Sequence, residues 1–121
     1  MANAARLREL LTHIEDNPAL FDVHVWAIDA PGGIVADLAG RALLLSYWTL
    51  AGDNEFLSPD GKRLIFHSED IASEAQALLG LTDDELWNNG DLDHLFALDA
   101  DAAVARLREL TEAAEAVAAN A

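Results

Sequence analysis

The chain has 121 residues, 52% of them hydrophobic, and its 22 acidic and 7 basic side chains give a formal net charge of −15. This length predicts one domain over residues 1–121, and the apolar content is enough for one real core, which argues against disorder. The charge argues against direct binding to nucleic acid or to an anionic membrane, because both require a cationic surface. The absence of cysteine excludes disulfides, thiol catalysis and cysteine-based zinc sites.

The first element is predicted to be a helix over residues 3–16, ended by Asn17-Pro18. Its apolar side chains recur every three or four residues, as they do on one face of a helix. They are Leu7, Leu10, Leu11 and Ile14. Residues 19–30 are ambiguous, because their alternation of apolar and polar types is typical of a strand, whereas the residues after Pro18 could form a short helix. We interpret this segment as a short helix followed by irregular chain.

A second helix is predicted over residues 34–50, after a strong break at Pro31-Gly32-Gly33. It has little polar face, which indicates a helix at the centre of the fold rather than a membrane span, since charged residues interrupt it. Glycine within a helix lowers its stability by about 1 kcal/mol relative to alanine. Its presence at position 40 therefore predicts a packing reason, namely close approach by another helix or an aromatic ring. Asp37 and Arg41 lie four residues apart and can pair on the remaining face.

A β-hairpin is predicted for residues 55–58 and 63–66, around the turn Ser58-Pro59-Asp60-Gly61. The rest of the chain is predicted to be helical. Its segments are 69–79, 83–88, one or two turns over 91–98, and 100–119. The expected fold class is therefore mostly α: a compact single-domain helical bundle of five or six helices with a small β-hairpin near residues 55–66.

The segment between Arg63 and Arg106 contains ten acidic residues and no lysine or arginine, so it cannot neutralise its own charge. The ten are Glu69, Asp70, Glu74, Asp83, Asp84, Glu85, Asp91, Asp93, Asp99 and Asp101. Such a segment must be solvated, meet a basic partner or bind cations.

The candidate contact residues for a basic partner surround Trp87, because tryptophan often anchors protein interfaces. They are Asp83, Asp84, Glu85, Trp87, Asp91 and Asp93. The competing interpretation, which we favour for Trp87 itself, is that it packs inward with Leu86, since so large an aromatic side chain usually buries most of its area.

No pattern in the chain indicates catalysis, a cofactor or a metal site. The four histidines have no partner at the helical spacing of a two-histidine site. Asp91, Asp93 and His94 form the best local cluster for a hard cation, but their spacing fits no calcium loop, and acids also serve as helix caps. Gly32-Gly33 lacks the rest of a phosphate-binding motif. These observations favour a non-enzymatic protein without deciding the question.

Several runs of the sequence resemble a group of small uncharacterised helical proteins of high-GC bacteria and their phages. The runs are GGIVADLAGRALLL, ALLGLTDDELWNN, LDHLF and AVARLREL. The group has a CGTxxCxAGWA-like segment, an LLGL segment and an LF segment, matched here at Ala39-Gly40, Leu79-Gly80-Leu81 and Leu95-Phe96. Gly32 and Asp37 stand where the pattern has cysteines. The resemblance covers about residues 14–110 and implies a helical fold without an activity.

The first functional hypothesis is a non-enzymatic, cytoplasmic interaction module that binds a basic protein surface and neither nucleic acid nor membrane, with its oligomeric state left open. One alternative is a nucleic-acid mimic, whose carboxylates replace phosphates, lie in rows along one face and block a DNA-binding protein. Another alternative is a small metal-dependent hydrolase that uses the acids of residues 83–94, which would require a pocket with converging carboxylates.

Overall fold

A computed structural model describes residues 2–87 and 94–120, and over these ranges the chain is a mixed α/β protein. The helices are α1 (Ala4–Asp16), α2 (Leu38–Leu45), α3 (Ser68–Leu79), α4 (Asp83–Leu86) and α5 (Ala100–Ala119). The strands are β1 (Ala27–Ala30), β2 (Gly33–Ala36), β3 (Thr49–Gly52), β4 (Glu55–Leu57) and β5 (Leu64–Ile65). They form an antiparallel pair, β1-β2, and an antiparallel sheet of order β3-β4-β5. The prediction of a helical bundle with one hairpin is therefore wrong.

Helices α1 and α5 pack against each other in antiparallel orientation. Arg8 pairs with Glu115 at 2.6 Å, and Arg108 pairs with Glu15 at 2.7 Å, so the start of each helix faces the end of the other. Between these ion pairs the helices bury apolar stripes. The buried residues of α1 are Leu7, Leu10, Leu11 and Ile14, and those of α5 are Ala103, Leu107, Leu110, Thr111 and Ala114. This interface is a large part of the hydrophobic core.

A hairpin replaces the irregular segment and the first turn of the second predicted helix. Ala27 pairs with Ala36 and Ala30 with Gly33, so the break at Pro31-Gly32 is the turn between two strands of one sheet. Ile34 and Val35 are β-branched and fit a strand better than a helix. The second helix therefore begins only at Leu38 and ends at Leu45.

Helix α2 lies in the centre of the fold, and close approach to the chain before β1 fixes its position. A Cβ atom on Gly40 would overlap the carbonyl oxygen of Trp26 and lie 2.7 Å from its carbonyl carbon. The close approach predicted at Gly40 therefore comes from backbone, not from another helix or an aromatic ring. Tyr47, whose φ is 71°, turns the chain after α2 and leads it into β3.

The predicted hairpin strands are part of a larger sheet. Strand β4 pairs with β5, placing Phe56 opposite Ile65, and on its other side Phe56 lies opposite Leu50 of β3. Phe56 is fully buried, which anchors the sheet in the core. Strand β3 occupies residues that the sequence analysis assigned partly to the end of the second helix.

Asn54 joins the two sheets. Its side-chain Oδ1 accepts hydrogen bonds from the backbone N–H groups of Trp26, at 2.8 Å, and Ala27, at 3.1 Å. Its own N–H donates to the carbonyl of Ala27 at 2.7 Å. Asn54 has φ 59°, a left-handed conformation that asparagine tolerates better than most residues.

The later helices begin and end at recognisable signals. Gly80, with φ 66°, ends α3, a capping box between Thr82 and Glu85 begins α4, and Asp99 caps α5. In the predicted turns over 91–98, a single 3₁₀ turn covers Leu95–Ala97, whereas residues 91–93 lie outside the described ranges. Among the helices described, none has the length and apolar character needed to cross a membrane.

Candidate functional site

The described acids between Arg63 and Arg106 lie mainly at the starts of three helices. Glu69 and Asp70 are in the first turn of α3, the acids of residues 83–85 are in that of α4, and Asp101 is in that of α5. Carboxylates at these positions favour helix formation, because the free N–H groups of a helix start carry partial positive charge. Local structure therefore accounts for where these acids sit, although not for the lack of bases between them.

Helix α4 is held between its neighbours by hydrogen bonds that leave its acids facing outward. Gln76 of α3 donates to Asp83 Oδ1 at 2.9 Å, and Arg106 of α5 donates to the backbone carbonyl of Glu85 at 3.1 Å. The carboxylate of Glu85 accepts from the N–H of Thr82 at 2.9 Å. Asp83 and Asp84 are exposed, whereas Glu85 is half-buried. Hydrogen bonds thus fix the carboxylates of Asp83 and Glu85 on one short helix, and the carboxylate of Asp84 is exposed beside them.

Trp87 follows α4 and is 42% exposed, so the interpretation that it packs inward is wrong. Its neighbour Leu86 is the buried residue. The Trp87 ring meets His94 edge-on, with ring centroids 4.8 Å apart, and the two residues form an isolated antiparallel bridge. Of the predicted contact residues, the structure brings Asp83, Asp84, Glu85 and Trp87 together, because they are consecutive or nearly so in the chain. The other two, Asp91 and Asp93, lie outside the described residues.

Four arginines form ion pairs within residues 2–87 and 94–120, and three of them pair with acids outside the Arg63–Arg106 segment. Arg8, Arg106 and Arg108 pair with Glu115, Glu109 and Glu15, respectively. Of the eight acids of that segment that the structure describes, only Glu74 pairs with a base, Arg63, at 3.1 Å. The other seven described acids of the segment therefore have no basic partner in the described part of the chain.

No group of three or more histidine or acidic side chains converges as a metal site within residues 2–87 and 94–120. His94 uses its Nδ1 to accept a hydrogen bond from the N–H of Phe96 at 3.1 Å. Burial lowers the pKa of His94, against the opposing effect of Asp83, so the imidazole is neutral near pH 7. His94 therefore caps the 3₁₀ turn at Leu95–Ala97.

Asp37 and Arg41 are ionisable residues whose burial the sequence analysis did not predict. Asp37 is 4% exposed and caps α2, accepting from the N–H of Gly40 at 2.7 Å. Burial raises the pKa of Asp37 to about 8, although N–H donors at the helix start oppose this rise. Arg41 instead donates to the carbonyl of Ile34, so the predicted pairing of Asp37 with Arg41 does not occur. Their four-residue spacing gave no sign of burial, which depends on distant segments.

Comparisons with known proteins identify no relative: no family model, curated protein or solved structure matches the chain. The resemblance to small helical proteins of high-GC bacteria and their phages therefore stays a prediction. Any functional conclusion rests on the geometry of this chain.

Proposed function

We propose that this chain is a non-enzymatic interaction protein whose acidic surface, made of Asp83, Asp84, Glu85 and Trp87, binds a basic protein partner. The observation that carries the proposal is the charge balance: only Glu74 of the eight described acids between Arg63 and Arg106 is paired with a base. A cytoplasmic location belongs to the same proposal, since a chain without cysteine needs no oxidising compartment.

The exposed indole of Trp87 gives this surface an apolar anchor beside its carboxylates. Interfaces often combine a large aromatic side chain, which loses water on binding, with a charged rim that orients the partner. A net charge of −15 would speed the encounter with a cationic partner and make it strongly dependent on salt. Carboxylates already fixed by Gln76 and Thr82 lose less conformational freedom on binding than mobile ones would.

The experiment compares two variants that remove the same charge from different surfaces. The test variant carries Asp83→Asn and Asp84→Asn, and the control carries Glu9→Gln and Asp16→Asn on exposed positions of α1. Each immobilised protein is used to capture basic proteins from lysate at about 50 mM and about 500 mM salt, which differ several-fold in screening length. A third variant, Trp87→Ala, tests the aromatic anchor.

We expect a basic protein to bind the parent and the control at low salt and to be lost at high salt. The Asp83→Asn/Asp84→Asn variant and Trp87→Ala should each retain much less of that protein. Equal losses in the test and control variants would mean that total charge alone drives capture, which would refute a localised surface. Capture that does not change with salt would refute the electrostatic basis of the proposal.

The nucleic-acid mimic remains an alternative form of the same proposal and differs in its partner. The described acids begin three separate helices, whereas a mimic was expected to align them along one face. The two forms are distinguished by adding duplex DNA to the captured complex. Release of the partner by DNA at constant ionic strength would favour the mimic, and its retention would favour a different basic surface.

A further inference from the structure

A cavity of about 500 Å³ opens where α2 meets the two sheets. Its apolar walls come from Ile34 of β2, Leu44 of α2, Trp48, which precedes β3, and Leu50 of β3. Two exposed carboxylates also line it, those of Asp29 on β1 and Asp53 in the turn after β3. This volume is within the range of sites that hold small organic ligands.

Arg41 is the cation of this cavity. Arg41 is 8% exposed, and its Nη2 donates a hydrogen bond to the carbonyl of Ile34 at 2.5 Å. No carboxylate pairs with it among the described residues. In that same part of the chain, Nε of Arg106 is the only side-chain nitrogen both sealed from solvent and without a hydrogen bond. The nitrogens of Arg41 that make no hydrogen bond are therefore not sealed from solvent, and Arg41 is one of the residues that line the cavity.

A guanidinium in this position lacks the counter-charge that buried cations usually have. Removing a cation from water is costly unless an anion or several hydrogen bonds compensate, and a guanidinium has five N–H donors to satisfy. Burial lowers the pKa of Arg41, which reflects the same cost. A carboxylate entering the cavity could accept two parallel N–H bonds from Arg41 and supply the missing charge.

The other residues that line the cavity determine which kind of carboxylate ligand fits it. The side chains of Leu44, Trp48 and Leu50 suit an apolar body, whereas Asp29 and Asp53 suit a cationic group and would repel a second anionic one. The net charge of −15 also opposes entry of a ligand that is negative overall. A ligand with balanced charges avoids both penalties.

We propose that this cavity binds a small zwitterionic organic acid, with its carboxylate on Arg41, its apolar body against Leu44, Trp48 and Leu50, and its cationic group toward Asp29 and Asp53. The site is separate from the acidic surface at α4, so it does not depend on the function proposed above. It is a binding site, and no reaction is assigned to it.

The test uses three probes that differ by one group each: 6-aminohexanoate, hexanoate and hexylamine. Each is titrated to about 20 mM into the full chain labelled with ¹⁵N, because ligands of this size commonly bind in the millimolar range. The side-chain N–H signals of Arg41 and Trp48 and the backbone signals of residues 49–53 are followed. The double variant Asp29→Asn/Asp53→Asn tests the cationic end, and Glu9→Gln/Asp16→Asn is its charge-matched control.

We expect 6-aminohexanoate to shift these signals and to bind about tenfold more tightly than hexylamine, because only the former has a group for Arg41. The Asp29→Asn/Asp53→Asn variant should lose the preference for 6-aminohexanoate over hexanoate, and the control should keep it. Hexylamine binding as tightly as 6-aminohexanoate, or no shift of the Arg41 signals with any probe, would overturn the proposal. Because the parent chain supplies the main readout, the test does not depend on whether Arg41→Met folds, and a folded Arg41→Met that still binds 6-aminohexanoate would also refute it.

Discussion

Replacing Gly40 by alanine sets two physical effects against each other. Alanine favours a helix interior over glycine by about 1 kcal/mol, so propensity alone predicts stabilisation of α2. The structure predicts the opposite, because the new Cβ would overlap the carbonyl oxygen of Trp26 and lie 3.3 Å from Oδ1 of Asp37. Relieving such an overlap in a packed core costs about 1–3 kcal/mol or more, and displacing Trp26 also weakens its hydrogen bond with the N–H of Asp37 at a cost of about 1 kcal/mol.

After subtraction of the propensity gain of about 1 kcal/mol, we expect Gly40→Ala to lower the free energy of unfolding by about 1–3 kcal/mol, measured by urea denaturation followed by circular dichroism. Gly32→Ala is the matched control, because a Cβ there meets no atom within 4 Å. That control should raise the free energy of unfolding by about 0.4–1 kcal/mol, because alanine restricts the unfolded chain. If Gly40→Ala proved as stable as Gly32→Ala, the close contact between α2 and Trp26 would be refuted.

Three other predictions concern polar groups that are buried or partly buried. Asp37 binds a proton in the folded state up to about pH 8 but only below about pH 4 when unfolded, so its contribution to stability falls as pH rises between these values. Asp37→Asn, which keeps a capping oxygen, should therefore flatten the fall in unfolding free energy between pH 5 and 7.5 by up to about 1.4 kcal/mol per pH unit, and an unchanged slope would refute the raised pKa. Asn54→Gly, which suits the left-handed φ but removes the acceptor for two N–H groups, should cost about 2–4 kcal/mol in urea denaturation, and a loss below about 1 kcal/mol would show that the two sheets do not need this link. Thr111→Val removes a buried hydroxyl that donates to the carbonyl of Leu107, but that carbonyl keeps its hydrogen bond within the helix. Thermal unfolding should therefore show a change in unfolding free energy within about 1 kcal/mol, and a larger loss would show that the hydroxyl is needed in the core.

The elements that sequence reasoning located well are those with local signals. Gly80, the Thr82–Glu85 capping box and Asp99 mark helix boundaries through hydrogen bonds made within a few residues, so the sequence contains the whole interaction. The β4-β5 pairing could be predicted for the same reason, because the turn at residues 58–61 has a local sequence signal.

The fold class could not be obtained in this way, because the region that decides it is apolar on all sides. Residues 34–50 contain the end of a strand pair, a short helix and the start of another strand, and periodicity does not distinguish these when both faces are buried. The partner of β2 is β1, which lies in the segment that was interpreted as irregular chain. The burial of Asp37 and Arg41 could not be predicted either, because it depends on the segments around Trp26 and strand β3, which precede and follow α2 in the chain. The acids of α4 and Trp87, by contrast, could be nominated from sequence alone.

The antiparallel pairing of α1 with α5 joins residues that are 93 and 107 positions apart in the chain. Contacts with such large sequence separation form late, because closing a long loop costs entropy before the contact can compensate for it. During synthesis, the apolar stripe of α1 must therefore wait for nearly the whole chain to emerge before α5 can cover it. In that interval the strong negative charge of the nascent chain has a use that needs no partner: repulsion between neighbouring chains would keep their uncovered leucines apart.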